Sequence, residues 1–275
     1  MKLSYSSHGQ AMPVATEQIT QEAFAAMSHT EIRWLGNASI LINSRGHIIL
    51  IDPILDGFDM PLLIDMPIES TAIPKVDSLL ISHIDGDHLN FDTLTNIKAV
   101  TKAYYAPPYV SEVMTEKGYS TQECSLGQPF TIGNTLVTPT PTKHNWQNGL
   151  EKYKYREWRE EEYLGYWMDT PDGAIWLPSD SKLLPEHLNM PEPAVILFDF
   201  SDNDWHITYE GAVTLANTYP KAELICIHWG SVDAPDWNTF NGNPEKLLAD
   251  VVNPERVHAL NVGQKLVLTD KVASL

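Results

Sequence analysis

Cysteine is nearly missing from this chain. Cys124 and Cys226 are the only two, they lie far apart, and neither belongs to a C-x-x-C pair. That excludes a disulfide framework and a cysteine-built zinc site. Cys226 sits within Leu224-Ile225-Cys226-Ile227 and reads as a small core residue. Basic charge is scarce as well: 18 Lys and Arg stand against 36 Asp and Glu, for a formal net charge of −18. Phosphate backbones and anionic lipid surfaces are held by Lys and Arg, so this balance argues against nucleic-acid and membrane-surface partners. No apolar run approaches the ~20 residues that span a bilayer. The opening Met1-Lys2-Leu3-Ser4-Tyr5 lacks the apolar stretch of a secretory signal, which makes a cytoplasmic, reducing location the expectation. Also missing are a Pro/Gly/Ser-rich linker, an abrupt shift of composition and a repeat of solenoid-like period.

What is there is a chain of 275 residues and 43% hydrophobic composition, enough for one large domain that buries about 75% of its unfolded surface. We expect an N-terminal arm and helix over residues 1–30 and a single domain over 31–275. Residues 1–15 show no clear period, and Thr16 to Met27 read as a helix with Thr16 as its cap. Glu31 to Ile42 is β-like, Asn43-Ser44-Arg45-Gly46 is turn chemistry, and His47 to Ile51 returns as a second strand. Val76 to Ile81 reads as a buried strand and Asn90 to Ile97 as a short helix. A strand at Ala103 to Tyr105, a helix at Val110 to Lys117 and a strand pair around Gly133-Asn134 follow. Leu164 to Met168 and Ala174 to Leu177, joined by a Pro-Asp-Gly turn, form the clearest hairpin. Ala194 to Phe200 is an inner strand, Thr208 to Thr218 a helix, Leu224 to His228 a strand, Asn243 to Val251 a helix, and Val257 to Leu268 two short strands. Consecutive hairpins with interspersed helices suggest two packed sheets covered by helices rather than a strict βαβ series.

The chemistry concentrates after Ile81, where His83, Asp85, Asp87 and His88 fall within six positions. A loop leaving a buried strand can aim alternating side chains into one pocket, and imidazole and carboxylate are good ligands for zinc, iron or manganese. The competing reading is a polar loop with Asp87 as a helix cap. Four candidate ligands together at the end of an apolar strand favour the metal.

These residues resemble the H-x-H-x-D-H signature of the metallo-β-lactamase superfamily. Further landmarks of that family occur in order. Trp34-Leu35-Gly36-Asn37-Ala38-Ser39 and Ile51-Asp52-Pro53 resemble its opening hairpin; His144, after Thr138-Pro139-Thr140-Pro141, resembles its next histidine ligand. Asp180 in Ser179-Asp180-Ser181 stands where the family places a bridging aspartate, and Ile227-His228-Trp229-Gly230 resembles the last histidine ligand. The resemblance covers roughly residues 31 to 232. The Ile-His-Trp-Gly ending and Trp205-His206-Ile207-Thr208 are similar to the branch holding L-ascorbate-6-phosphate lactonase and N-acyl-phosphatidylethanolamine phospholipase D. It implies a four-layer αββα sandwich, two mixed β-sheets flanked by helices. It also implies a hydrolase that uses a metal-activated hydroxide on a small ester, lactone or phosphodiester. His83, Asp85 and His144 would hold one divalent metal, Asp87, His88 and His228 a second, and Asp180 would bridge. Asp87 would orient the hydroxide and carry a proton, and His206 would contact substrate or donate a proton. One departure stands out: Asp85 replaces the family's second histidine. A carboxylate hardens the ligand set toward manganese or iron and leaves open whether one or two metals, zinc, manganese or iron, are bound.

Outside this set, His8, His29, His47, His187 and His258 read as ordinary surface or packing residues. Residues 145–162 follow His144 directly. They are either a lid whose Lys152, Lys154, Arg156 and Arg159 meet an anionic small-molecule substrate, or a solvated helix or loop with i,i+4 pairs. Asp56 to Met66 is either a substrate-side loop or an interface segment, and a homo-oligomer is left open. Two other functions compete with hydrolysis: a di-iron redox protein, suggested by Asp85, and a non-catalytic binding protein with a weakened site. One scaffold serves many reactions, so fold alone does not choose among them.

Overall fold

The computed structural model describes residues 1–268, so the expected domain span of 31–275 reaches beyond the described residues. Two seven-stranded sheets dominate. The first contains β3 (Thr30–Gly36), β4 (Ser39–Ser44), β5 (His47–Ile51), β6 (Ser78–Leu80), β7 (Tyr104–Ala106) and β8 (Thr121–Glu123), with β16 (Lys265–Leu268) at its edge beside β3. The second runs from β9 (Phe130–Ile132) through β10 (Thr135–Pro141), β11 (Leu164–Thr170), β12 (Gly173–Leu177), β13 (Val195–Phe198) and β14 (Glu223–Cys226) to β15 (Val257–His258). A small hairpin, β1 (Ser4–Tyr5) and β2 (Ala11–Met12), precedes both. Each large sheet is mixed in the same way, an antiparallel half joined to a parallel half: β16-β3-β4-β5 then β6-β7-β8, and β9-β10-β11-β12 then β13-β14-β15.

The period-two alternation of a strand explains the layers. Ile40, Ile42, Ile49, Ile51 and Leu80 enter the core between the sheets, where they meet residues of the second sheet such as Tyr166, Met168 and Leu177. Their neighbours Leu41, Ile48, Leu50, Leu79 and Ile81 face outward, beneath Leu94 and Ile97 of α1 (Phe91–Ile97) and Val110 and Met114 of α2 (Pro108–Glu116). On the far side, Ala212 and Leu215 of α3 (Tyr209–Thr218) and Leu247 of α4 (Pro244–Asp250) close the second sheet. Helix, sheet, sheet and helix are thus stacked as the αββα sandwich that the sequence implied. Strands buried on both faces read as near-continuous apolar runs, which is why His47 to Ile51 and Leu224 to Ile227 carry so little polar signal.

Three local expectations are corrected. Thr16 to Met27 is not a helix: only Gln21–Phe24 makes a single 3-10 turn. The backbone there is spent on other segments, Glu17 N–H donating to Val262 O and Ile19 N–H to Pro67 O, and Thr16 bridges Val262. Glu31 to Ile42 is two strands rather than one, because Gly36 (φ 105°) and Asn37 (φ 46°) turn the chain back in the left-handed region. Asp87 does not cap α1; Asn90 does, its side chain accepting from Thr93 N–H at 2.7 Å.

Gly165, the second residue of β11, is a close-approach position. A Cβ there would stand 2.4 Å from Thr140 Oγ1 and 2.6 Å from the Leu177 carbonyl oxygen, and backbone cannot step aside. Gly165→Ala is therefore expected to lower the unfolding free energy by about 1–3 kcal/mol, the range for overpacking. An unchanged denaturation midpoint would show that β10 and β12 are freer than the structure places them.

Candidate metal centre

The functional side chains sit just beyond strand C-termini, where the loops of both sheets meet. Asp52 follows β5, His83 follows β6, His144 follows β10, Asp180 follows β12, Asp199 and His206 follow β13, and His228 follows β14. Several of these turns are strained. Asp52 (φ 45°), Ser179 (φ 62°), Thr208 (φ 63°) and His228 (φ 63°) occupy the left-handed region, which costs a non-glycine residue about 1–3 kcal/mol and persists only where surrounding contacts over-determine it. Those contacts are visible. Trp34 stacks on Trp229 with centroids 5.5 Å apart, and the His228 N–H donates to Asn37 O at 2.9 Å. Asp52 receives Ser82 N–H at 2.7 Å and the Ser82 hydroxyl at 2.6 Å.

Five imidazoles converge, and each is anchored by its Nδ1. His144 Nδ1 bonds the Trp205 carbonyl at 2.8 Å and His228 Nδ1 the Thr239 carbonyl at 3.0 Å. His88 Nδ1 bonds Asp52 at 2.8 Å and His206 Nδ1 bonds Asp199 at 2.8 Å. His83 Nδ1 lies 2.9 Å from Ser82 Oγ, whose own proton goes to Asp52. Carbonyls and carboxylates only accept, so this network assigns the proton to Nδ1 in every ring. All five Nε2 atoms are left facing inward.

They face one carboxylate oxygen. Asp180 Oδ2 lies 3.2 Å from His88 Nε2, 3.3 Å from His228 Nε2, 3.7 Å from His206 Nε2, 3.9 Å from His144 Nε2 and 4.0 Å from His83 Nε2. Donor atoms of Asp87, His88, Asp180 and His228 lie within 4.8 Å of one another, as do those of His83, Asp85 and His144. The test of whether a cation fits is His83. Its Nε2 is buried with no hydrogen-bond partner, a state that costs about 1–3 kcal/mol unless something satisfies the lone pair. Nitrogen and carboxylate donors arranged around such an orphan suit a divalent transition metal.

The carboxylates are held ionised. Burial acts to raise Asp87, but the charge of His88 and the His228 hydrogen bond outweigh it and bring the group down to about 2. Asp85 is driven below the usual carboxylate range: burial opposes, and the His144 hydrogen bond together with the nearby His83 ring prevails. Its oxygens also accept from the Trp146 indole at 2.7 Å and the Gln147 amide at 2.6 Å. Gln147 cannot flip, because its carbonyl is taken by the Tyr163 hydroxyl at 2.6 Å. Burial lowers His228, but Asp180 first, then Asp87, overcome this and raise it to about 10. His83 moves the other way, lowered by burial and by the charge of His88.

Every residue selected from the sequence, His83, Asp85, Asp87, His88, His144, Asp180, His206 and His228, is therefore in one cluster. His206 lies buried in the loop between β13 and α3, where it lines the cleft over the cluster, and Thr208, whose side chain accepts from Gly211 N–H, caps α3. Asp199, Trp146 and Gln147 were missed. Asp52 was noticed only as part of a hairpin. Residues 145–162 form three 3-10 turns whose first, Trp146–Gly149, overlies Asp85. Their cations do not reach the centre. Lys154 pairs with Glu151, Arg156 with Glu162, Arg159 with Glu161 and Glu162, and Lys152 lies over the Tyr153 ring. Asp56 to Met66 packs against the loop after His228, Leu63 N–H donating to Ser231 O at 2.8 Å.

Residues 47–229 match the family described as the beta-lactamase superfamily domain. The chain belongs to that family. It is 24% identical over 245 residues to N-acyl-phosphatidylethanolamine-hydrolyzing phospholipase D 1 of Caenorhabditis elegans, an alignment covering 78% of this chain and 67% of the relative. It is 23% identical over 257 residues to a UPF0173 metal-dependent hydrolase of Anaeromyxobacter sp. (strain K), covering 87% of each. Among solved structures, the metallo hydrolase Igni18 of Ignicoccus hospitalis superposes with a TM-score of 0.68 at 16% identity, covering 87% of this chain and 98% of the other. The chain is a metal-dependent hydrolase of the metallo-β-lactamase superfamily, and no helix among the described residues is long and apolar enough to cross a membrane.

Asp52→Ala removes the acceptor that orients His88 and the Ser82 hydroxyl, and is expected to weaken metal binding about 10- to 100-fold, as read by competition with a chromogenic chelator. Unchanged affinity would mean that Ser82 alone suffices. The metal-free protein should also lose stability as pH rises. His228 has a folded value of about 10 against roughly 6.5 unfolded, so its contribution is complete below the unfolded value and disappears as pH passes the folded one. Asp87 does the opposite, its contribution fading as pH falls toward about 2. Thermal melts of chelator-treated protein between neutral and alkaline pH check the first of these.

Proposed function

We propose that the chain hydrolyses a small ester, lactone or phosphodiester at this centre with one or two divalent cations bound. The observation that supports this reading most is the pairing of two donor clusters through one carboxylate. In this assignment His83, Asp85 and His144 hold one cation, Asp87, His88 and His228 the other, and Asp180 is shared. Zinc, manganese or iron bound here supplies the Lewis acidity that makes water nucleophilic near neutral pH and draws charge from a carbonyl or phosphoryl oxygen.

The chain's own groups do the rest. Asp87 keeps 19% of its side chain exposed, against 4% for Asp180, and lines the cleft with Asp85, His144 and His206. It orients the attacking water and takes its proton. His206, fixed through Nδ1 by Asp199, presents Nε2 to the same space; that nitrogen takes up the proton Asp87 has received from the water and passes it to the leaving oxygen. Asp85, gripped by Trp146 and Gln147, keeps its charge where the family carries an imidazole, which favours a harder cation on that side. A cytoplasmic location is part of the reading, supported by the buried, unpaired thiols Cys124 and Cys226. So is one domain from residue 31 onward, supported by a core that draws on both sheets.

Elemental analysis of the purified protein and a panel of esters, lactones and phosphodiesters test the proposal. Turnover is expected to depend on manganese, zinc or iron. Asp87→Ala and His206→Gln should each lower kcat by about 10²- to 10⁴-fold, the usual worth of a positioned acid or base. Equal rates for Asp87→Ala and the unaltered chain would remove the role given to Asp87. Absence of bound metal and of any response to added metal would favour a binding protein, and an iron absorption band without hydrolysis a redox one.

A further inference from the structure

The cleft over the centre, about 510 Å³, has a distinctive wall. Above the donor cluster, Trp146, Trp205, Trp237 and Phe240 line it together with the polar Asn203, Asn238 and Thr239. Trp205 and Trp237 are 43% and 58% exposed, unusual for the largest apolar side chain. Trp237 stacks on Phe240 at 6.2 Å, and Phe240 on the His228 ring at 5.2 Å, so the apolar wall runs directly into the donor cluster. Among the described residues no Lys or Arg lines this cleft, while Asp236 does. The ammonium of Lys182 lies 5.0 Å over the Trp205 ring, within a neighbouring cleft that also contains Asp204 and Glu210.

We propose that the substrate carries an uncharged apolar acyl or aryl portion that lies against Trp205, Trp237 and Phe240, and that a distal anionic group is rejected. This rests on the hydrolase reading and names the substrate class for it. Indole faces exposed around a reaction cleft gain by covering apolar surface. A distal carboxylate or phosphate entering the same space would lose water without finding a cationic partner. It would also approach through the field of a chain with net charge −18. Any attraction for anions is confined to the floor, where the donor cluster would hold a cation and the reacting group would sit.

A matched pair of esters tests this on the metal-loaded protein: 4-nitrophenyl octanoate, and the mono-4-nitrophenyl ester of suberic acid, whose eight-carbon acyl chain ends in a carboxylate. Octanoate is expected to show at least about tenfold higher kcat/KM, a discrimination of the size that apolar pockets supply. Trp237→Ala should raise KM for octanoate about tenfold while leaving kcat and metal content unchanged, a split that a general loss of structure would not give. Octanamide, titrated against tryptophan fluorescence, reads binding without chemistry and should bind the unaltered chain more tightly than Trp237→Ala. Turnover of neither ester with octanamide binding intact would count against the hydrolase reading and in favour of the apolar subsite. Equal use of both esters, a preference for the suberate ester, or octanamide binding that ignores Trp237→Ala would overturn the subsite.

Discussion

Nδ1–H donation by the clustered imidazoles is the interaction on which the centre depends. Free imidazole chooses its tautomer and rotates about two bonds. Here Asp52, Ser82, Asp199 and two backbone carbonyls remove both freedoms, and what remains is a set of Nε2 atoms with a common focus. Packing five rings and five acids in this space without that arrangement would leave buried polar atoms unmatched, and a buried unmatched group is among the more expensive features a fold can carry. His83 Nε2 still carries it, which marks where a cation completes the structure.

The sandwich supplies the geometry for that arrangement. Both sheets send their strand ends to the same side, and short, partly left-handed turns bring acids and imidazoles inward before the chain continues. The loop from Trp229 to Phe240 shows how economical this is. It stacks on Trp34, presents the carbonyl that orients His228, and lines the substrate cleft with Trp237 and Phe240. Anchoring of a ligand and shaping of the cleft are thus properties of one segment.

The polar quartet after Ile81 was legible because it interrupts an apolar strand, and His144, Asp180 and His228 because each stands where the resemblance to the metallo-β-lactamase superfamily implies a ligand. The hairpin at Leu164 to Leu177 was legible from its turn residues. The roles of Asp52, Asp199, Trp146 and Gln147 were not, since each acts through a partner that only folding brings near: Asp52 is 36 positions from His88 and Gln147 62 from Asp85. Local propensity also misled at Thr16 to Met27, where good helix formers yield to hydrogen bonds with Val262 and Pro67. Sequence left the basic residues of 145–162 open between an anion site and a paired surface, because it shows charge but not pairing; the acidic residues beside them absorb the charge.

The strands β15 and β16 are separated by only six residues, yet they border different sheets, β15 beside β14 and β16 beside β3. This stretch is a clasp across the open side of the sandwich. If it peeled away, one rim of each layer would be bared in a single event, and unpaired strand rims are templates for adhesion between chains. The outer strand of each layer is consequently held in place together with that of the other, not one at a time, by a single short stretch of chain.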